Sequence, residues 1–221
     1  MKINIKDVKV YLISPCVGKY AGRVRIVLDR LMSQGFKRIE IIKSVEDPVP
    51  INSLNRTNIE IFEIEKASHE PFIILEDDCG LYNLFDGYEW VDIPDDADAV
   101  YLGVSKWIYP HSLASLYGLR ESIQENTSEF LINTEGSCVQ IKGMTSTHAV
   151  LYRNREYTNA FTQTMKTLLS YETSLDLVYA VLQPLYKVYA LKRPFFYQDG
   201  TLGGQEEVTK LKYNGSQFVA I

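Results

Sequence analysis

Four short apolar runs, Val8–Ser14, Arg38–Ile42, Pro71–Leu75 and Ala99–Gly103, recur through the first half of this chain. The gaps between them are too long for hairpins and long enough for crossovers, which is the rhythm of a parallel sheet. Between the first two runs, Val24, Val27, Leu28 and Leu31 share one helical face, and Gly35 stands where a helix would stop. The segment Ser53–Ala67 fits two patterns. Ile59, Ile61 and Ile64 partly alternate, whereas Ile59 and Phe62 suit a helix. Parallel strands on either side demand a crossover, so a helix is predicted.

After Gly103 the periodicity loosens into Trp107, Tyr109, Pro110 and His111, a short helix and the polar stretch Gln124–Ser128. Aromatic rings offer apolar faces to sugars but also pack cores, and this region is expected to shape an acceptor site. Cys138–Lys142 and Thr147–Arg153 read as strands, Tyr157–Ser170 and Ser174–Leu182 as helices, and Lys187–Tyr197 as extended chain broken by Pro194. With 221 residues and 46% apolar content, one α/β domain is expected, a mostly parallel central sheet with helices on both faces. Within 1–221, the expected division is a nucleotide-binding half over 1–103, an acceptor-side half over 104–200 and a lid or tail over 201–221.

The net charge of -5 is spread along the chain and leaves no basic stripe for a phosphate backbone, so no nucleic-acid partner is expected. The opening MKINIKDVKVYLIS alternates charged and apolar residues, unlike a signal peptide or a membrane span. A cytoplasmic protein without a membrane span is the expectation. Cys16, Cys79 and Cys138 are odd in number and far apart, which suits reduced thiols.

The sharpest local feature is Phe72-Ile73-Ile74-Leu75 running into Glu76-Asp77-Asp78 and then Cys79-Gly80. In open α/β sheets, ligands bind at the carboxyl ends of strands, where crossovers leave a crevice. Extended side chains alternate, so Glu76 and Asp78 should point to one side and Asp77 to the other. Converging carboxylates raise each other's pKa unless a cation sits between them, and Mg²⁺ or Mn²⁺ carrying a diphosphate fits. An acidic turn exposed to water is the plainer alternative. Neither a P-loop nor GxGxxG follows the first strand, so metal and side chains would have to hold the diphosphate.

Ser14 ends the first strand, and Lys43, Ser44, Glu46 and Asp47 follow the second, where a base and ribose would lie. One of Arg23 and Arg25 could reach phosphate. His148 falls within a predicted strand, on the side of Val150 and Tyr152, as a core or site-edge histidine. Asp176 follows Thr173-Ser174, a helix-start signal, so it either stabilises the helix dipole or serves as acceptor ligand or general base. Gln198 and Asp199 close the last extended segment, near the diphosphate.

The run ILEDD, followed by IPDDADAVYLG, resembles the lipopolysaccharide-type glycosyltransferases of family 25, related to collagen galactosyltransferases. THAVLYRNREYTNAF, SLDLVYAVL and KVYALKRPFFYQDG resemble that family's later strand and helix, its Asp-bearing helix and its closing Pro-to-Gln segment, in the same order. The pattern is also similar to viral capsid glycosyltransferase domains. The resemblance implies a GT-A fold, a UDP-sugar donor, a glycan or glycoprotein acceptor, hexosyl transfer and Mn²⁺. It places Asp78 directly on the metal, Glu76 at the ribose or a metal-bound water, Asp77 at the donor, and an Asp at position 176. Where the family carries Ser-His in the helix before the acidic strand, this chain has His69 just before Pro71. A nucleotidyltransferase, or a silent nucleotide- or glycan-binding domain, is the alternative. VYLISPCVGKYAGR supplies little of the glycine-rich first loop that the former needs.

Overall fold

A computed structural model of the chain describes residues 1–82, 89–105, 107–109, 124–125, 136–204, 211–213 and 218–220. Its strands are β1 (Lys2–Asn4), β2 (Lys9–Ser14), β3 (Ile39–Lys43), β4 (Phe72–Glu76), β5 (Cys79–Leu81), β6 (Trp90–Asp92), β7 (Ala99–Tyr101), β8 (Trp107–Ile108), β9 (Gln124–Glu125), β10 (Cys138–Gln140), β11 (Ala149–Tyr152), β12 (Val188–Leu191), β13 (Phe196–Gln198), β14 (Leu211–Tyr213) and β15 (Phe218–Ala220). The helices are α1 (Lys19–Ser33), α2 (Pro50–Ile64), α3 (Arg155–Leu168) and α4 (Leu175–Leu182).

Seven strands form the central sheet in the order β10-β12-β7-β11-β4-β2-β3. β3, β2, β4, β7 and β12 run one way, while β11 pairs antiparallel with both β4 and β7, and β10 antiparallel with β12. The mostly parallel sheet is therefore present, with β11 inserted against the grain at its centre. In register, Ile13 faces Glu76 and Ser14 faces Lys43, so β2, β3 and β4 end together at one edge.

Strand alternation builds two cores. Tyr11, Ile13, Phe72 and Ile74 face one layer, where they meet Phe62, Phe161 and Tyr179 of α2, α3 and α4. Val10, Leu12, Ile73 and Leu75 face the other, against Val24, Val27 and Leu31 of α1. Each such buried side chain contributes about 1.5–3 kcal/mol of transfer free energy. The ribbon of β1 and β6 closes this second layer through Ile5, Val91 and Ile93.

Local signals set the helix ends. α1 stops where Gly35 takes φ 87°, with its N–H on the Met32 carbonyl at 3.0 Å. Pro50 opens α2, and the Asn154 side chain caps α3 by accepting from the Glu156 N–H at 2.9 Å. The ambiguous segment is a helix, because Ile59, Ile61 and Phe62 are buried against the sheet. Several boundaries differ from the sequence expectation. Leu102 and Gly103 lie beyond β7, and Thr147 and His148 lie before β11, where the chain bends. Among the described residues, no helix is long and apolar enough to cross a membrane.

Candidate active site

β4 carries the acidic triplet to the edge where β2 and β3 also end, and α1 and α2 begin just beyond those strands. Helix amino termini bring partial positive charge to this edge. Alternation separates the first two carboxylates as expected. Glu76 enters the layer of α4, where the Thr147 hydroxyl oxygen lies 3.1 Å from its Oε1 and 2.9 Å from Asp176 Oδ1. Asp77 enters the α1 layer, where it accepts a hydrogen bond from Ser14 Oγ and faces Arg23 Nη1 at 3.5 Å. Ser14 Oγ in turn accepts from the Cys16 N–H at 3.1 Å.

Asp78 stands in the turn between β4 and β5. Its backbone carbonyl accepts from the Asp199 N–H at 2.8 Å, while its side-chain Oδ1 is buried and has no hydrogen-bond partner among the described residues. A buried, unpaired carboxylate oxygen is costly and calls for a cation or a proton. Burial, with the charge of Asp77 next, pushes the Asp78 pKa up to about 6, against the pull of Arg23. Burial, then the charges of Asp78 and Asp176, holds the Glu76 carboxyl well above the usual range. Burial also raises Asp176, opposed by the Thr147 hydroxyl and the Ser146 N–H, and raises Asp77, opposed by Ser14 and Arg23.

Thr147 joins residues far apart in sequence. Its one hydroxyl proton is shared between, or serves in turn, Glu76 and Asp176, which couples the two carboxyls.

The remaining candidates divide into two groups. Lys43, Ser44, Glu46 and Asp47 line a separate cleft of about 350 Å³ at the ends of β2 and β3, together with Pro15 and Ser53. Lys43 makes an exposed ion pair with Glu46 at 2.9 Å, which contributes little to stability. Gln198 pairs with Cys79 across β13 and β5, one residue from the acidic turn. Arg23 passes over Gly203, where an added Cβ would come within 2.2 Å of Nη2 and φ is +95°. Arg25 is exposed on α1. His148 is buried, its ring packed so close to Gly103 that a Cβ there would sit 2.0 Å from Nε2, and burial lowers its pKa to about 4. A neutral packing histidine is the structural role. Tyr109 is buried in the core, while the Trp107 side chain and His111 lie outside the described residues.

Sequence reasoning missed Thr147 and the ion pair of Arg30 with Asp199 at 2.7 Å, which ties α1 to the segment after β13. Asp199 also accepts from the Thr201 N–H and hydroxyl at 2.8 and 2.6 Å. Among the described residues, no group of three or more His, Cys, Asp or Glu side chains could hold a metal ion. A cation on Asp78 would therefore be completed by water and ligand oxygens, the usual situation for Mg²⁺ with phosphates.

No family's sequence profile matches the chain, and no curated protein sequence does. Solved structures give remote likenesses. A glycosyltransferase involved in glycosylating the major capsid protein of PBCV-1 aligns at TM-score 0.40 and 10% identity, over 70% of this chain and 66% of that one. The nucleoside-diphosphate-sugar pyrophosphorylase of Vibrio cholerae RC9 aligns at 0.42 and 14%, over 83% and 72%. Mouse xyloside xylosyltransferase 1 aligns at 0.43 and 9%, over 84% and 85%. The functional reading rests on the site itself.

Proposed function

We propose that the chain is a metal-dependent glycosyltransferase that takes a sugar from a nucleoside-diphosphate donor, UDP-linked, and passes it to a glycan or glycoprotein hydroxyl. One observation carries the reading: Asp78 Oδ1, buried and unpartnered, stands at the carboxyl edge of the sheet beside two further carboxylates and an arginine. A solvated acidic turn would leave that oxygen in water. The sequence resemblance to lipopolysaccharide-type transferases supports the same choice.

Asp78 is the residue to hold Mn²⁺ or Mg²⁺, with Glu76 facing the ribose or a bound water. When bound, the cation neutralises charge developing on the departing nucleoside diphosphate. Arg23, kept near the site by Asp77 and the Gly203 backbone, is placed to add a guanidinium to that diphosphate. Ser14 orients Asp77, and the Lys43–Asp47 cleft suits the nucleoside. Asp176 lies on the opposite layer, in the first turn of α4. There it serves as acceptor ligand or general base, and the Thr147 hydroxyl fixes its orientation.

Product analysis tests the proposal. A UDP-hexose panel incubated with Mn²⁺ should yield free sugar and UDP slowly, and faster transfer when an acceptor is supplied. Pyrophosphate release from UTP and a sugar 1-phosphate would assign a nucleotidyltransferase instead. Neither product, with UDP still bound, would assign a silent binding domain.

A further inference from the structure

The chain between β10 and β11 meets the acidic edge through three consecutive residues. Ser146 directs its N–H at the Asp176 carboxylate, and the Thr147 hydroxyl lies between Asp176 and Glu76. The His148 carbonyl accepts from the Glu76 N–H at 3.0 Å. The segment therefore ties the end of β4 to the first turn of α4, where Asp176 stands.

Its backbone is unusual at one point. Ser146 holds φ at 73°, a left-handed conformation disfavoured for any residue with a Cβ. Such a conformation persists only where surrounding contacts over-determine it, and functional sites are where they cluster. Here a hydrogen bond of 2.7 Å joins Ser146 Oγ to His148 Nδ1, and the His148 ring is itself buried against Gly103. Two residues earlier, the buried Gln183 side chain accepts from the Met144 N–H at 2.8 Å and donates to the Met144 carbonyl at 2.7 Å. Gln183 follows the last turn of α4, so the segment is held at both ends of that helix, while Ser146 itself stays half-buried.

We propose that Ser146 is the positioning residue for Asp176: its hydroxyl, latched on His148, holds the left-handed turn that presents the Ser146 N–H and the Thr147 hydroxyl to that carboxylate. A carboxylate pinned by two donors is fixed in its orientation toward an incoming hydroxyl. Misplacing a reacting group by about 1 Å can cost about a hundredfold in rate, so the latch acts on turnover and not on donor binding. Only the role of Asp176 toward an acceptor rests on the transferase reading; the latch and its contact with Asp176 do not.

Ser146→Gly removes the hydroxyl yet suits a positive φ, so it should melt close to the wild type. Its kcat for transfer to a true acceptor should nevertheless fall by about tenfold or more, with UDP affinity and the donor KM unchanged. On an Asp176→Asn background the same change should cost nothing further, as expected when one residue acts through the other. His148→Leu should reproduce the rate loss. His148→Asn offers an amide group close to the place of Nδ1, so it should recover most of the rate even though the smaller side chain lowers the melting temperature. Hydrogen exchange without any substrate decides the latch separately. The Ser146 amide should exchange about tenfold faster in Asp176→Ala and in His148→Leu, and stay slow in His148→Asn. Unchanged exchange in folded His148→Leu, wild-type kcat in Ser146→Gly, or a full further loss on the Asp176→Asn background would overturn the proposal. A wild-type chain that shows these exchange rates but transfers no sugar would sink the transferase reading and leave the latch standing.

Discussion

Neutralising Asp78 should make the ligand-free chain more stable while abolishing turnover. The side chain is half-buried, its Oδ1 is buried without a partner among the described residues, and its pKa rises from the ordinary 3.8 to about 6. A raised carboxyl pKa means that the folded state binds a proton more tightly than the unfolded one. Its stabilising share is complete below 3.8 and is lost as pH rises through 6. At about 1.4 kcal/mol per pH unit, the charged form costs the fold about 3 kcal/mol at neutral pH. Because Asp77 and Glu76 share that strain, Asp78→Asn should recover about 1–3 kcal/mol, or about 2–12 °C in melting temperature for a chain of this length. Melting in EDTA at pH 7.5 and again at pH 4 is the assay. The gain should be present at the higher pH and vanish at the lower, and Mn²⁺ should narrow it by stabilising the wild type alone. A variant that melts lower than wild type at pH 7.5, or gains equally at both pH values, would refute the reasoning.

Four further substitutions probe other parts of the account. Asp176→Asn should lower transfer to a true acceptor by about two to four orders of magnitude while UDP affinity holds, as expected for a lost proton acceptor; near wild-type transfer would leave Asp176 a helix-start role. Thr147→Val keeps the volume but removes the hydroxyl from two buried carboxyls, so at neutral pH it should cost about 1–3 kcal/mol in urea unfolding. The same variant should move the acid limb of the pH–rate profile upward, because the hydroxyl lowers both pKa values; an unmoved limb would count against that role of the hydroxyl. Gly103→Ala should destabilise by about 1–3 kcal/mol through overpacking against His148, and His148→Ala in the same chain should restore part of that loss; additive losses in the double variant would contradict the collision.

Much of this geometry is legible in periodicity. The alternation of β2 and β4 reveals two buried faces, and the same period of two separates Glu76 from Asp77 before any coordinates are seen. Direction is not legible: Ala149–Tyr152 looks the same to a period count whether it runs with or against β4, so the antiparallel insertion of β11 goes unread. Long-range bonds are equally silent. Thr147 meets Glu76 across 71 positions and Arg30 meets Asp199 across 169, and neither residue stands in a pattern of its own. The strand before it makes Asp78 legible, yet its unpartnered oxygen depends on the turn after Glu76 and on the Asp199 segment folding back, which no local rule supplies.

Calorimetric titration of UDP tests the central claim most directly. With Mn²⁺ present, the wild-type chain should bind UDP, and both EDTA and Asp78→Asn should remove most of that affinity while leaving the fold intact. Equal affinity with and without the metal, or in the folded Asp78→Asn chain, would contradict a cation-held diphosphate at the end of β4.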